Sequence, residues 1–137
     1  MFFNKKDKNK NISLENIASL LIHAAKIDEN YSPKEEEIIK KSLIDLGADE
    51  KNLNSLLINA KKKEENSNQI LDFTKEVKSM EKKEKIKIIK SLWKIIYSNK
   101  DADIYETNLM RRLSGLLYVD SKTMGDIKEE IKNKIKQ

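Results

Sequence analysis

No cysteine occurs in the 137 residues, which excludes disulfides, Cys-ligated zinc, iron–sulfur clusters and thiol catalysis together. One proline and three glycines are too few for a collagen-like or coil-rich chain, and they disfavour the many turns of an all-β fold. The single histidine, His23, has no second histidine or cysteine to share a metal, and no nucleophile–base–orienter set can be built around it. Gly47, Gly115 and Gly125 lie too far apart for a phosphate-cradling loop, so an enzyme is not expected. No run of about 18 apolar residues is present to span a bilayer. Phe2-Phe3 give way at once to Asn4-Lys5-Lys6-Asp7-Lys8, which leaves no hydrophobic stretch for a signal peptide, and the expected location is cytoplasmic.

Arginine is also scarce. Arg111 and Arg112 stand against 26 lysines, and 28 basic against 23 acidic side chains give a formal net charge of +5. Lysine, asparagine and isoleucine are all favoured by AT-rich codons, so much of the basicity reads as a solvated lysine-rich surface. Nucleic-acid binders usually add arginine forks or exposed aromatics, which the runs Lys5–Lys10, Lys61–Lys63 and Lys82–Lys87 lack. A lysine-driven contact with nucleic acid or an anionic membrane surface, the latter helped by Phe2 and Phe3, is the alternative function.

What the chain does have is helical periodicity. Leu14, Ile17, Ala18, Leu21, Ala24 and Ala25 follow the three-and-four rhythm of a buried face, with Ser13 placed as cap. Residues 1–12 then form a flexible basic tail, and 13–137 a single domain. Ser32-Pro33-Lys34-Glu35 is a capping box with proline at the first helical position, and Gly47 ends that helix. Asp49 caps a third helix through Leu53, Leu57 and Ala60. A shorter fourth carries Ile70, Phe73, Val77 and Met80. The fifth, from Ile86 to Ile96, is apolar around most of its circumference and is expected to be the most buried. Asp103 to Glu106 opens a sixth helix, and Met124, Ile127, Ile131 and Ile135 mark a seventh. The fold class is all-α, a bundle of about seven helices.

The chain also matches itself at an offset of 71 residues without a gap (99 minus 28). Ile17 meets Ile88, Leu21 meets Leu92, Glu35 meets Glu106, Lys40-Lys41 meet Arg111-Arg112, and Asp49 meets Asp120. Phased amphipathic helices would match in their apolar positions anyway, but helix periodicity does not fix loop lengths. The constant register through two loops implies two three-helix units, about 13–63 and 84–136, joined by the fourth helix.

Each unit contains an acidic loop. Asp28, Asn30 and Ser32 alternate in the first and Asn99, Asp101 and Asp103 in the second, followed by Glu35 or Glu106 in the next helix. Hard cations such as Ca²⁺ and Mg²⁺ take oxygen ligands grouped in this way. The loops are not EF-hands, because the sixth position holds Pro33 or Ile104 where glycine is required, and the twelfth holds Ile39 or Met110 where glutamate is required. Capping and helix-dipole chemistry account for Ser32, Glu35, Asp103 and Glu106 equally well. Both readings stay open. The candidate ligands are Asp28, Asn30, Glu35, Asp101, Asp103 and Glu106.

The stretch from Ala25-Lys26-Ile27-Asp28 to Pro33-Lys34-Glu35-Glu36-Glu37-Ile38-Ile39 resembles the signature of the TerB-like family, associated with tellurite resistance. A second copy, from Leu92-Trp93 through Tyr97 and Asn99 to Tyr105-Glu106 and Leu109-Met110-Arg111-Arg112, is similar to it. The resemblance covers nearly all of 13–136. It implies a cytoplasmic seven-helix bundle with an acidic, metal-binding surface and a link to tellurite or other stress responses. Asp-Gly of the family pattern is replaced by Asp28-Glu29 and by Asn99-Lys100, and proline by Ile104, which lowers the negative potential of the second loop. The expectation is a non-enzymatic module that binds a divalent cation weakly, or docks an unidentified protein partner, through its two acidic loops.

Overall fold

The computed structural model describes residues 5–27, 31–67, 70–75, 77–99 and 104–135. Among these residues there are seven α-helices and no strand: α1 (Lys5–Lys26), α2 (Pro33–Asp45), α3 (Leu53–Glu65), α4 (Leu71–Thr74), α5 (Lys82–Ile96), α6 (Ile104–Leu116) and α7 (Ser121–Ile135). Short 3₁₀ turns at Glu50–Asn52, Val77–Ser79 and Tyr97–Asn99 complete the path. The all-α expectation holds.

Helix α1 is the axle of the bundle and packs against α2, α3, α4 and α5. From Leu14 to Ala25 only Glu15 and His23 escape burial, which makes this stretch as enclosed as the fifth helix was expected to be. Its small residues explain the enclosure: Ala18, Ser19, Ala24 and Ala25 are fully covered and let neighbours close in from several sides. The Ser19 hydroxyl lies within hydrogen-bond distance of its own Glu15 carbonyl (2.9 Å) and of the Ala60 carbonyl of α3 (3.1 Å), so no polar atom is stranded at that close approach. Helix α5 buries Ile88, Ile89, Leu92, Ile95 and Ile96 against α1 and α2 on one side and α7 on the other.

Three local expectations change. Helix α1 already runs from Lys5, so Ser13 lies inside it and does not cap it. The segment after Ser67 divides into α4 and the turn at Val77–Ser79, although Ile70, Phe73 and Val77 are all interior. A segment this short gains little from helix propagation, and its anchoring side chains decide its path. Asp49 caps the 3₁₀ turn that leads into α3, accepting from the Lys51 amide at 3.1 Å.

Helices α2 and α6 are both 13 residues long and begin 71 residues apart, at Pro33 and Ile104. Their C-terminal ends carry the same three backbone hydrogen bonds. Leu46, Gly47 and Ala48 donate to Ser42, Ile44 and Leu43; Leu117, Tyr118 and Val119 donate to Leu113, Gly115 and Ser114. The left-handed residue that this helix ending needs is Gly47 (φ 108°) in one and Tyr118 (φ 56°) in the other.

Candidate functional site: the loop-bearing end of the bundle

Each candidate loop leads into a helix whose first turn holds a buried glutamate. Glu35 of α2 is 1% exposed and Glu106 of α6 is 4% exposed. A carboxylate is expensive to bury unless it is hydrogen-bonded, and the sequence around Glu35 supplies the partner. Ser32 adopts an extended conformation, its hydroxyl accepts from the Glu35 amide at 3.1 Å, and the Glu35 carboxylate accepts from the Ser32 amide at 2.9 Å. That reciprocal pair is the capping box read from Ser32-Pro33-Lys34-Glu35. Asp28, Asn30, Asp101 and Asp103, the other candidate ligands, lie outside the described residues. Among the described residues no three acidic or histidine side chains are grouped closely enough to hold a metal ion.

Tertiary contacts set the ends flanking the two loops side by side. Lys34, in the first turn of α2, donates to the carbonyl of Ser98 at 3.1 Å, at the end of the turn that follows α5. A lysine ammonium is a natural partner for a carbonyl at a helix terminus. On the other flank, Ile27 at the end of α1 and Asn108 and Leu109 of α6 share a cavity of about 280 Å³ with His23 and Arg112. The two flanks therefore touch through Lys34 and Ser98, and Ile27 and Leu109 line one open groove.

Helix α3 contributes a cation to this end. Lys61 donates to the Glu36 carboxylate at 2.7 Å, and its ammonium sits 5.5 Å above the Tyr31 ring. The hydrogen bond from Lys61 holds the Glu36 carboxyl below its ordinary value. The Tyr31 hydroxyl donates to the same carboxylate at 3.3 Å. Burial, and then the neighbouring Glu36 charge, push the Tyr31 phenol well above its ordinary value, so it stays a neutral donor. Lys61 and Glu36 thus neutralise one another. Nothing in the sequence pairs positions 36 and 61; only the packing of α3 does.

His23, given no role from the sequence, lies with Nδ1 3.4 Å from Glu64, which also accepts from Lys26 at 2.8 Å. These contacts tie α1 to α3.

The described residues thus form an all-α bundle in which α2 and α6 each bury a glutamate of the first turn. The family model described as tellurite resistance protein TerB matches residues 14–129. The chain belongs to the TerB family. Comparison with curated proteins and with solved structures gave no match.

Proposed function

We propose that this TerB-family chain is a non-enzymatic cytoplasmic module that binds a divalent cation, Ca²⁺ or Mg²⁺, weakly through its two acidic loops. A protein partner in a tellurite or stress response would dock on the same end. The observation that carries the reading is the pair of buried first-turn carboxylates, Glu35 and Glu106, each directly behind a run of oxygen donors. Hard cations favour such oxygen sets, and helix N-termini orient the carboxylates at the loop. The coupling of the two ends through Lys34 and Ser98 would let occupancy of one loop be felt at the other. Titrating Ca²⁺ and Mg²⁺ while following backbone amide resonances tests this. Saturable shifts that begin at 28–36 and 99–107 are expected, and none up to millimolar metal would overturn it.

The alternative, lysine-driven polyanion binding, has its own observation. A groove of about 420 Å³ between α2 and α5 is lined by Lys41, Lys87, Lys90 and Lys94, against one acid, Asp45. Lys87 and Lys90 reach Glu84 and Glu130 at 3.9 and 3.6 Å, while Lys41 and Lys94 have no ion pair among the described residues. Binding of DNA or anionic vesicles that weakens steeply with salt and is lost in Lys41→Glu/Lys94→Glu supports this second reading; salt-insensitive or absent binding removes it.

A further inference from the structure

Helices α5, α6 and α7 line an open groove of about 230 Å³, one edge of which, at Thr107, adjoins the start of α6. Its lining includes Trp93 of α5, Met110 and Arg111 of α6, and Ser121, Met124 and Lys128 of α7. The charged side chains that line it, Arg111 and Lys128, are both cations, and the other polar side chains there are the hydroxyls of Thr107, Ser114 and Ser121. The Trp93 side chain is almost entirely buried, and its indole Nε1–H has no hydrogen-bond partner. An orphaned buried donor costs about 1–3 kcal/mol, and native proteins rarely leave one unexplained.

Arg111 and Lys128 have no carboxylate within ion-pair distance among the described residues, and no Asp or Glu lines the cavity. The Lys128 ammonium sits 5.6 Å over the Trp93 ring, which is stacked on Tyr97 and so held in place. Ser121 is the first residue of α7, whose N-terminus is capped by the Asp120 carboxylate accepting from the Thr123 amide at 3.1 Å. The Ser114 hydroxyl is committed to the Val119 carbonyl at 2.6 Å and points its proton there. The remaining wall is apolar and adaptable: the Trp93 ring with buried Met110 and Met124. The volume lies below the roughly 300–1,000 Å³ typical of drug-sized sites, which sets a small ligand.

We propose that this cavity binds a small organic carboxylate. Arg111 and Lys128 hold the carboxyl group, and the apolar body lies against Met110, Met124 and the Trp93 ring. Lysine and arginine supply the charge, and the methionines reject a fully hydrated ion such as inorganic phosphate. Neither Glu35 nor Glu106 lines the groove, and Arg111 and Lys128 lie outside the segments that report on the cation reading, so the two readings are tested by different residues.

Trp93 is the only tryptophan, so a ¹⁵N-labelled sample of the full chain gives a single indole Nε1–H resonance to watch. Benzoate serves as the probe, with benzamide and inorganic phosphate as the uncharged and the apolar-body-lacking comparisons. Benzoate should shift that resonance and the amides of residues 121–125 saturably in the millimolar range. Benzamide and phosphate should each bind roughly tenfold more weakly or not at all. Arg111 is exposed, so Arg111→Gln should fold normally and lose about tenfold in benzoate affinity. Gly125 also lines the cavity, and a Cβ added there meets nothing within 4 Å. Gly125→Leu should therefore fill the space and abolish binding in a protein that remains folded by circular dichroism. The proposal is overturned if benzoate causes no saturable shift, if benzamide or phosphate matches it, or if either variant binds like the parent.

Discussion

Replacing Glu35 with glutamine separates its two roles, because the amide keeps an acceptor for the Ser32 N–H and loses the charge. The native bond is 2.9 Å long and the side chain is 1% exposed, so the loss is felt in full and not screened by solvent. A carboxylate in the first turn contributes about 0.3–1 kcal/mol through the helix dipole, and up to ~2 kcal/mol when buried. In EDTA, Glu35→Gln should therefore lower stability by about 1 kcal/mol, or roughly 3 °C in Tm for a domain of this size. Glu35→Ala also strands the Ser32 amide and should cost more, about 1–3 kcal/mol. Urea denaturation followed by far-UV circular dichroism measures both. If Ca²⁺ is bound, a hundredfold excess over Kd adds about 2.7 kcal/mol to the parent. Glu35→Gln should abolish that increment, whereas Glu37→Gln, on the exposed face of the same turn, should keep it. Equal stability of Glu35→Gln and parent in EDTA would refute the capping account. An undiminished Ca²⁺ increment in Glu35→Gln would refute Glu35 as a ligand.

The two helix endings give a second test: Gly47→Ala, at φ 108°, should destabilise by about 1–2 kcal/mol in urea titrations, and an unchanged midpoint would contradict that backbone assignment. Gly115→Ala, inside α6 with nothing within 4 Å of the new Cβ, should instead stabilise by about 0.5–1 kcal/mol. The Glu36 carboxyl is lowered in the folded state by Lys61, so its contribution is present above the ordinary carboxyl range and fades as pH falls through the folded value. Lys61→Met should flatten the acid limb of the stability–pH curve, and an identical limb would count against the pair. The Tyr31 phenol is raised, so the folded state holds its proton longer and loses stability as pH climbs above about 10. Following the ring ¹³C resonance of Tyr31 through an alkaline titration should show it ionising above the ordinary phenol range, and ordinary ionisation in the folded protein would remove that environment.

Much of this chain is legible because its helices obey local rules. The capping box at Ser32 forms as the residue types demand, since both of its bonds are made within four residues. Gly47 ends α2 because it is the residue that takes a left-handed conformation without strain. Tyr118 shows the limit: a tyrosine at the corresponding ending carries no local signal for φ 56°, and its ring, 71% exposed, lies 5.5 and 5.8 Å beneath Lys78 and Lys85. Trp93 read as plain core from its spacing with Tyr97, and the two do stack. Its orphaned N–H and its place beside Arg111 and Lys128 come from three helices meeting, which no spacing along one helix encodes.

By itself the sequence determined the helical class, both ends of α2 and the first-turn positions of Glu35 and Glu106, because periodicity and capping act within a few residues. The tertiary structure alone decided that α1 is the enclosed axle, that Lys34 reaches Ser98 and Lys61 reaches Glu36, and that α5, α6 and α7 line a groove bearing Arg111 and Lys128. The two hydrogen bonds join residues 64 and 25 positions apart, and only the packing of whole helices brings such residues together.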